Sequence, residues 1–262
     1  MNLLTKLILS LLLFAINICP SVGQQALKDS IAVIGDQVAL DALNRVYIHD
    51  KSSNTVYRLN SSLQREVDQR RRDFSWKVYL NTMDPQKIVL ICPEASKLYI
   101  LDDQFNVLTQ QYVTDLLPGQ VMNRDRNGNQ VFFKNARLMI NDENGTKAIS
   151  DEIRVDQIDM FRNDKQIVHD GNLYYLFFKE YGIKVYNAFL NFEYELYDPE
   201  IIALAEIDRS IFIVKNDILY EWKPGRGPMR EILRLTEKIK AFDINQDYIV
   251  YLTEDYLYRI KR

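Results

Sequence analysis

Apolar and polar positions alternate along this chain in short runs, as in Val46-Tyr47-Ile48-His49 and Val56-Tyr57-Arg58-Leu59. A two-residue period puts successive side chains on opposite faces of a strand. No stretch after residue 25 keeps a helical period for long; Ile149 to Met160 comes closest. The runs come in pairs joined by short turns, and the second run often carries a hydrophobe followed by Tyr. Those second runs span 55–59, 97–101, 137–140, 183–186, 218–222 and 256–260. Anchored on Tyr57, Tyr99, Met139, Tyr186, Tyr220 and Tyr258, they lie 42, 40, 47, 34 and 38 residues apart. A period near 40 residues marks stacked or radial units.

Each unit reads as four strands. The second strands span 45–49, 87–92, 130–133, 173–178, 210–214 and 248–252, and short turns such as Pro93-Glu94-Ala95-Ser96 join them to the third. Such loops connect antiparallel neighbours. Candidate first strands are 38–41, 76–80, 120–122, 157–161, 202–205 and 240–244. Fourth strands follow units one to five, but the sixth unit stops at Arg262 after its third strand. The β-like segment 29–34 precedes the first unit and can supply the missing outer strand, which would satisfy an open edge and close a ring.

Four-stranded units of this length are what a β-propeller requires. Over residues 29–262 the chain resembles the general propeller architecture, with six blades. The resemblance rests on period and strand order. There is no Trp-Asp signature and no kelch double glycine, and the chain has nine glycines in all, so no named propeller family follows. The rival architecture is a β-sandwich or long meander. The stretch 159–209, where a step of 47 precedes one of 34, is where a blade boundary is least well defined.

Residues 1–23 have the layout of a secretory signal peptide: Lys6, an apolar run from Leu7 to Ile18, Pro20, then Ser21-Val22-Gly23 before Gln24. The competing readings are a membrane anchor and a lipoprotein acylated at Cys19. The small-residue-then-Gln junction resembles exported proteins of the Bacteroidota, which implies a mature domain, 24–262, in the periplasm or associated with the outer membrane. Cleavage leaves Cys92 alone, in the apolar run 88–92, where it reads as a small buried hydrophobe. The mature chain carries 32 Lys and Arg (33 less Lys6) against 36 Asp and Glu. That balance argues against nucleic acid, which calls for a concentrated basic face. The basic run Arg70-Arg71-Arg72 is a candidate charged rim.

Candidate chemistry is sparse. His49 and His169, the two histidines, fall in non-equivalent parts of different units. The loops 123–129 and 141–145 bring Asp and Asn near Gly, but calcium wants six to eight oxygens, and turn formation explains both. Asp41, Asp84, Asp208 and Asp243 lie at or near first strands and can either converge at one channel mouth or cap loops; capping is the reading adopted. Aromatics crowd 177–197, with Phe189 in a loop, and Tyr and Phe are enriched at interface cores. Phe189, Tyr194 and Tyr197 are therefore the candidate partner contacts, with Arg70, Arg71 and Arg72 as a charged rim. Trp76 and Trp222 read as structural, which disfavours a carbohydrate-binding module.

The expectation is an all-β, six-bladed propeller closed by its N-terminal strand. It would act as a non-enzymatic scaffold or accessory subunit for another cell-envelope protein, of an outer-membrane secretion or assembly machine. No cofactor or metal, no membrane span after cleavage and a monomeric chain are expected. The alternative is a metal-dependent propeller hydrolase or lactonase with its site at the central channel.

Overall fold

The computed structural model describes residues 28–113, 121–124, 129–142, 145–154, 165–225, 227–235 and 237–262. Residues 1–27, which include the expected signal peptide 1–23 and Cys19, lie outside them. Strand β1 (Lys28–Ala32) comes first. Blade 1 follows as β2 (Gln37–Leu40), β3 (Val46–Asp50), β4 (Thr55–Leu59) and β5 (Arg65–Arg70). Blade 2 is β6 (Tyr79–Asn81), β7 (Ile88–Cys92), β8 (Lys97–Leu101) and β9 (Val107–Tyr112). Blade 3 is β10 (Val121–Arg124), β11 (Gln130–Lys134), β12 (Arg137–Asp142) and β13 (Gly145–Ile149). Blade 4 is β14 (Lys165–His169), β15 (Leu173–Phe178), β16 (Gly182–Asn187) and β17 (Phe192–Tyr197). Blade 5 is β18 (Ile201–Ile207), β19 (Ser210–Lys215), β20 (Ile218–Trp222) and β21 (Arg230–Arg234). Blade 6 holds β22 (Ala241–Ile244), β23 (Tyr248–Leu252) and β24 (Tyr256–Lys261), and its outer strand is β1.

The ring is therefore closed as the sequence pattern implied. Lys28 to Ala32 pair antiparallel with Ile260 to Tyr256. Arg259 locks the closure from the side: its guanidinium donates to Asp29 (2.7 Å) and to the Ser61 carbonyl in blade 1. Arg58 takes the same place on its own third strand and reaches the Asp103 carbonyl of blade 2.

Burial supplies the rest of the cohesion. Six apolar clusters sit at the six seams between neighbouring blades. The seam between blades 2 and 3 is the thinnest among the described residues, with Val89, Ile91, Leu98 and Phe132 as its buried members. Cys92 is buried between blades 1 and 2, and burial pushes its thiol up to about 12.

Three sequence expectations need correcting. The expected first strand 157–161 of blade 4 lies outside the described residues, and the inner strand there is β14, further along the chain. Its Lys, Gln and His side chains give it a weak apolar signal. Second, the third-strand anchor of blade 4 is Lys184, not Tyr186. Counting from the first pair of each hairpin, Tyr57, Tyr99, Met139, Lys184 and Tyr220 hold the third position. The 47- and 34-residue steps become 45 and 36, a more even ring. Third, Trp222 is buried, but Trp76 is exposed and has the Lys51 ammonium 6.0 Å from its ring.

Candidate functional site

The turns between third and fourth strands share one local design. In blades 1, 2 and 4 an Asn or Asp side chain accepts the backbone N–H groups two and four residues ahead. Asn60 takes Ser62 and Gln64, Asp102 takes Gln104 and Asn106, and Asn187 takes Phe189 and Asn191, all at 2.8–3.1 Å. The fourth residue of each turn is a hydrophobe in the left-handed region: Leu63 (φ 59°), Phe105 (φ 62°) and Leu190 (φ 61°). All three are buried. That conformation is costly for a side chain other than Gly, and burial together with the capping bonds offsets the cost. The third position then points to solvent. It holds Ser62 in blade 1 and Gln104 in blade 2, but Phe189 in blade 4, where the ring is 79% exposed.

Phe189 has apolar company. Phe192 is exposed at the start of β17 and meets Tyr186 edge-on at 5.9 Å. Exposed Ile149 belongs to blade 3, and it lines a cavity of ≈250 Å³ with Ile153, Tyr186, Leu190 and Phe192. Lys184 occupies the anchor slot beneath this patch. Its ammonium lies 5.3 Å from the Tyr181 ring and 5.6 Å from the Phe192 ring, and donates to Glu195 at 2.6 Å. The Lys184 hydrogen bond, then that from the Tyr181 hydroxyl, holds the Glu195 carboxyl below the usual range.

The structure separates the expected contacts. Tyr197 is exposed and packs edge-on against Tyr181 at 5.3 Å, but it ends β17, roughly 17 Å of strand away from Phe192. Tyr194 faces the opposite side of the strand, edge-on to Trp222 at 6.0 Å. Its hydroxyl is buried with no partner among the described residues, and burial raises it to about 12. Tyr194 therefore belongs to the seam between blades 4 and 5. Arg70 and Arg72 are exposed at the exit of blade 1, across the ring from blade 4, and the Arg71 guanidinium covers the Tyr99 ring at 4.8 Å. The arginine rim and the aromatic patch are not one surface. Phe192 lay among the aromatics of 177–197 but was not chosen as a contact, and Ile149 was not weighed as one. The signal for the patch was the Phe at a turn position that elsewhere is polar.

The axial channel is the second candidate. Inner strands are stitched around it by side chains. The Asp243 carboxylate accepts the Leu40 N–H (2.8 Å), Thr82 donates to the Leu40 carbonyl (3.2 Å), Asn81 donates to Asn123 (2.9 Å), Asn123 to the Ile167 carbonyl (2.8 Å) and Gln166 to the Leu204 carbonyl (2.9 Å). Asn123 is thus a channel residue, and residues 125–128 of the turn weighed and set aside for calcium lie outside the described residues. A cavity of ≈210 Å³ at one mouth is lined by Lys77, Lys165, Lys179 and Lys240; one of ≈440 Å³ at the other is lined by Glu206, Asp208 and Asp247. Asp243 lies between them, and burial raises its carboxyl to about 6 against the pull of two backbone N–H groups.

The four acids weighed for this channel do not converge. Asp41 caps the turn after β2, accepting the Leu43 and Arg45 N–H groups, the Arg45 guanidinium and the Tyr47 hydroxyl. Asp84 caps another turn through the Gln86 N–H. Only Asp208 and Asp243 face the lumen, and among the described residues no three His, Cys, Asp or Glu side chains come together in a metal-binding group. His49 is buried, its Nε2–H donating to the Phe74 carbonyl (2.8 Å), and burial lowers its pKa. His169 ends β14, stacked on Tyr174 at 4.2 Å between ring centres.

No family of known proteins matches the chain by sequence, and no curated protein matches it. Solved structures do resemble it. Virginiamycin B lyase from Staphylococcus aureus superposes with a TM-score of 0.62 at 9% identity, covering 91% of this chain and 100% of the lyase. The Cps50 (Swd1) β-propeller domain of Myceliophteria thermophila gives 0.63 at 10% identity, covering 89% and 98%. BamB from Moraxella catarrhalis gives 0.50 at 10% identity, covering 88% and 71%. At such identities the likeness extends to the fold alone, and this fold hosts unrelated functions.

Proposed function

We propose that the chain is an exported, non-enzymatic docking scaffold for another protein of a bacterial cell envelope, an accessory subunit of an outer-membrane secretion or assembly machine. The observation that supports this reading is Phe189. The turn design it sits in places Ser and Gln at the equivalent positions of blades 1 and 2. Local folding therefore does not require an exposed aromatic ring there. Phe192, three residues on, and Ile149 of the neighbouring blade add exposed apolar surface around a cavity also lined by Asp151, Glu152 and Arg154, an apolar centre with a polar rim of the kind that marks protein contacts. The leader-like pattern of residues 1–23 supports export. The test is affinity isolation of the chain from its native envelope. The wild type is expected to retain one stoichiometric partner, and Phe189→Ser with Phe192→Ser to lose it while melting unchanged. Absence of a stoichiometric partner, or its full retention by the double variant, would refute the reading.

The second reading is an enzyme with its site in the channel, a metal-dependent hydrolase or lactonase. Asp243 favours it, because a carboxyl raised by burial inside a cleft is a common mark of a reactive site. It calls for divalent ions to raise the melting temperature of the wild type and not of Asp243→Asn.

A further inference from the structure

β9 is the one outer strand of the six without a charged residue. It reads Val-Leu-Thr-Gln-Gln-Tyr. By contrast β5 has four charged residues, β21 three, β1 and β17 two each, and β13 one. An outer strand presents a row of backbone N–H and C=O groups that invites further pairing, and proteins commonly block it with charge. Blade 2 lacks that protection. Leu108 is 55% and Tyr112 69% exposed.

The register shows which backbone groups are open. Val113 N–H donates to the Ser96 carbonyl (2.8 Å), and Tyr112 pairs with Lys97. In an antiparallel ladder that phase turns the backbone of Gln110 and Tyr112 away from β8, towards solvent. β9 also borders the seam that is thinnest among the described residues, beside a cavity of ≈190 Å³ lined by Tyr112, Val113, Phe132 and Met139.

We propose that β9 pairs antiparallel with β9 of a second copy, joining two propellers through blade 2 about a twofold axis. Charge points to this occupant. An axis at Gln111 sets Gln110 against Tyr112, Thr109 against Val113 and Gln111 against its own equivalent, with Leu108 exposed at the bulge beside them. No charged side chains of the two strands meet. The same operation about the central residue of two other edges opposes like charges: on β5 it sets Asp68 against itself and Arg65 against Arg70, and on β17 it sets Glu195 against itself. On β1, Asp29 is already held by Arg259. The dimer replaces the monomer expected from sequence. It leaves the blade 4 patch open on both copies, so two partner sites are carried on one particle. This inference stands whether or not that patch binds a partner.

Sedimentation equilibrium of the purified chain, from micromolar to near-millimolar concentration, tests it. A monomer–dimer equilibrium is expected, with the Gln110 and Tyr112 amides exchanging more slowly as the dimer fills. Gln110→Pro removes an N–H that points outwards, so the ladder to β8 is kept; Leu108→Lys adds the missing charge. Both variants are expected to stay monomeric with wild-type melting temperatures. A wild type that remains monomeric throughout would overturn the proposal, and so would a dimer that survives both substitutions.

Discussion

Asp243 shows how one side chain ties the channel to stability. Its carboxylate accepts the Leu40 N–H across the closing seam and the N–H of Ile244 beside it. Burial outweighs both bonds, and the folded-state value rises to about 6 from an ordinary 3.8. The folded protein therefore holds the proton more tightly than the unfolded chain. Stability is highest below the unfolded value and falls as pH rises from about 4 to about 6, by roughly 2–3 kcal/mol. Asp243→Asn should flatten that part of the profile in denaturant titrations; an unchanged slope would show that Asp243 is not its source. Lys184 is the residue that sequence reasoning misplaced. The eye selects Tyr186 because five of the six anchors are aromatic or Met, yet a lysine fills the slot by lying against two rings and bonding to Glu195. Long cationic side chains bury their stems in this way, and a pattern search for hydrophobes passes over them.

At the scale of elements, strands with one clear apolar rhythm were legible and strands facing the channel were less so. All six second strands and all six third strands were found within a residue or two, the second strands because they are largely buried on both faces and rich in Val, Ile, Leu and Tyr, the third because they keep an apolar rhythm beside them. Inner strands give one face to a polar lumen, which is why β14, with Lys165, Gln166 and His169, escaped notice. The capped turn was written in the sequence as Asn60-Ser-Ser-Leu63, Asp102-Asp-Gln-Phe105 and Asn187-Ala-Phe-Leu190. Recognising it would have singled out Phe189 at once. The third strands also carry the lateral ties. Arg259→Ala removes the bonds to Asp29 and Ser61 and should destabilise the protein by about 2 kcal/mol. It should also expose residues 28–33 to protease. Arg58→Ala cuts the matching tie to blade 2 at similar cost but should leave that segment protected. Equal cleavage in the two variants would contradict the separate role given to Arg259.

As a whole, the molecule is a ring whose blades cohere through six seam clusters. Its architecture was readable because a period near 40 residues leaves few alternatives. The proposed docking surfaces were less readable, because they depend on which few positions depart from the repeat. Phe189 and the uncharged β9 are such departures; Phe189 stood out in the sequence as a loop aromatic, while the contrast that sets β9 apart shows only once the six outer strands are compared. Both proposed surfaces need a rigid frame, and the frame depends on β1. Thermal unfolding of the chain lacking residues 24–33 tests this most directly. The truncation strips the pairing of Lys28 to Ala32, the Arg259 clasp, and the packing of Ile31 and Val33 on the closing seam. The account predicts a loss of about 3–5 kcal/mol, a fall in melting temperature on the order of 10 °C, and a broadened transition. A truncated chain that melts as sharply and at the same temperature as the intact one would contradict the closed ring.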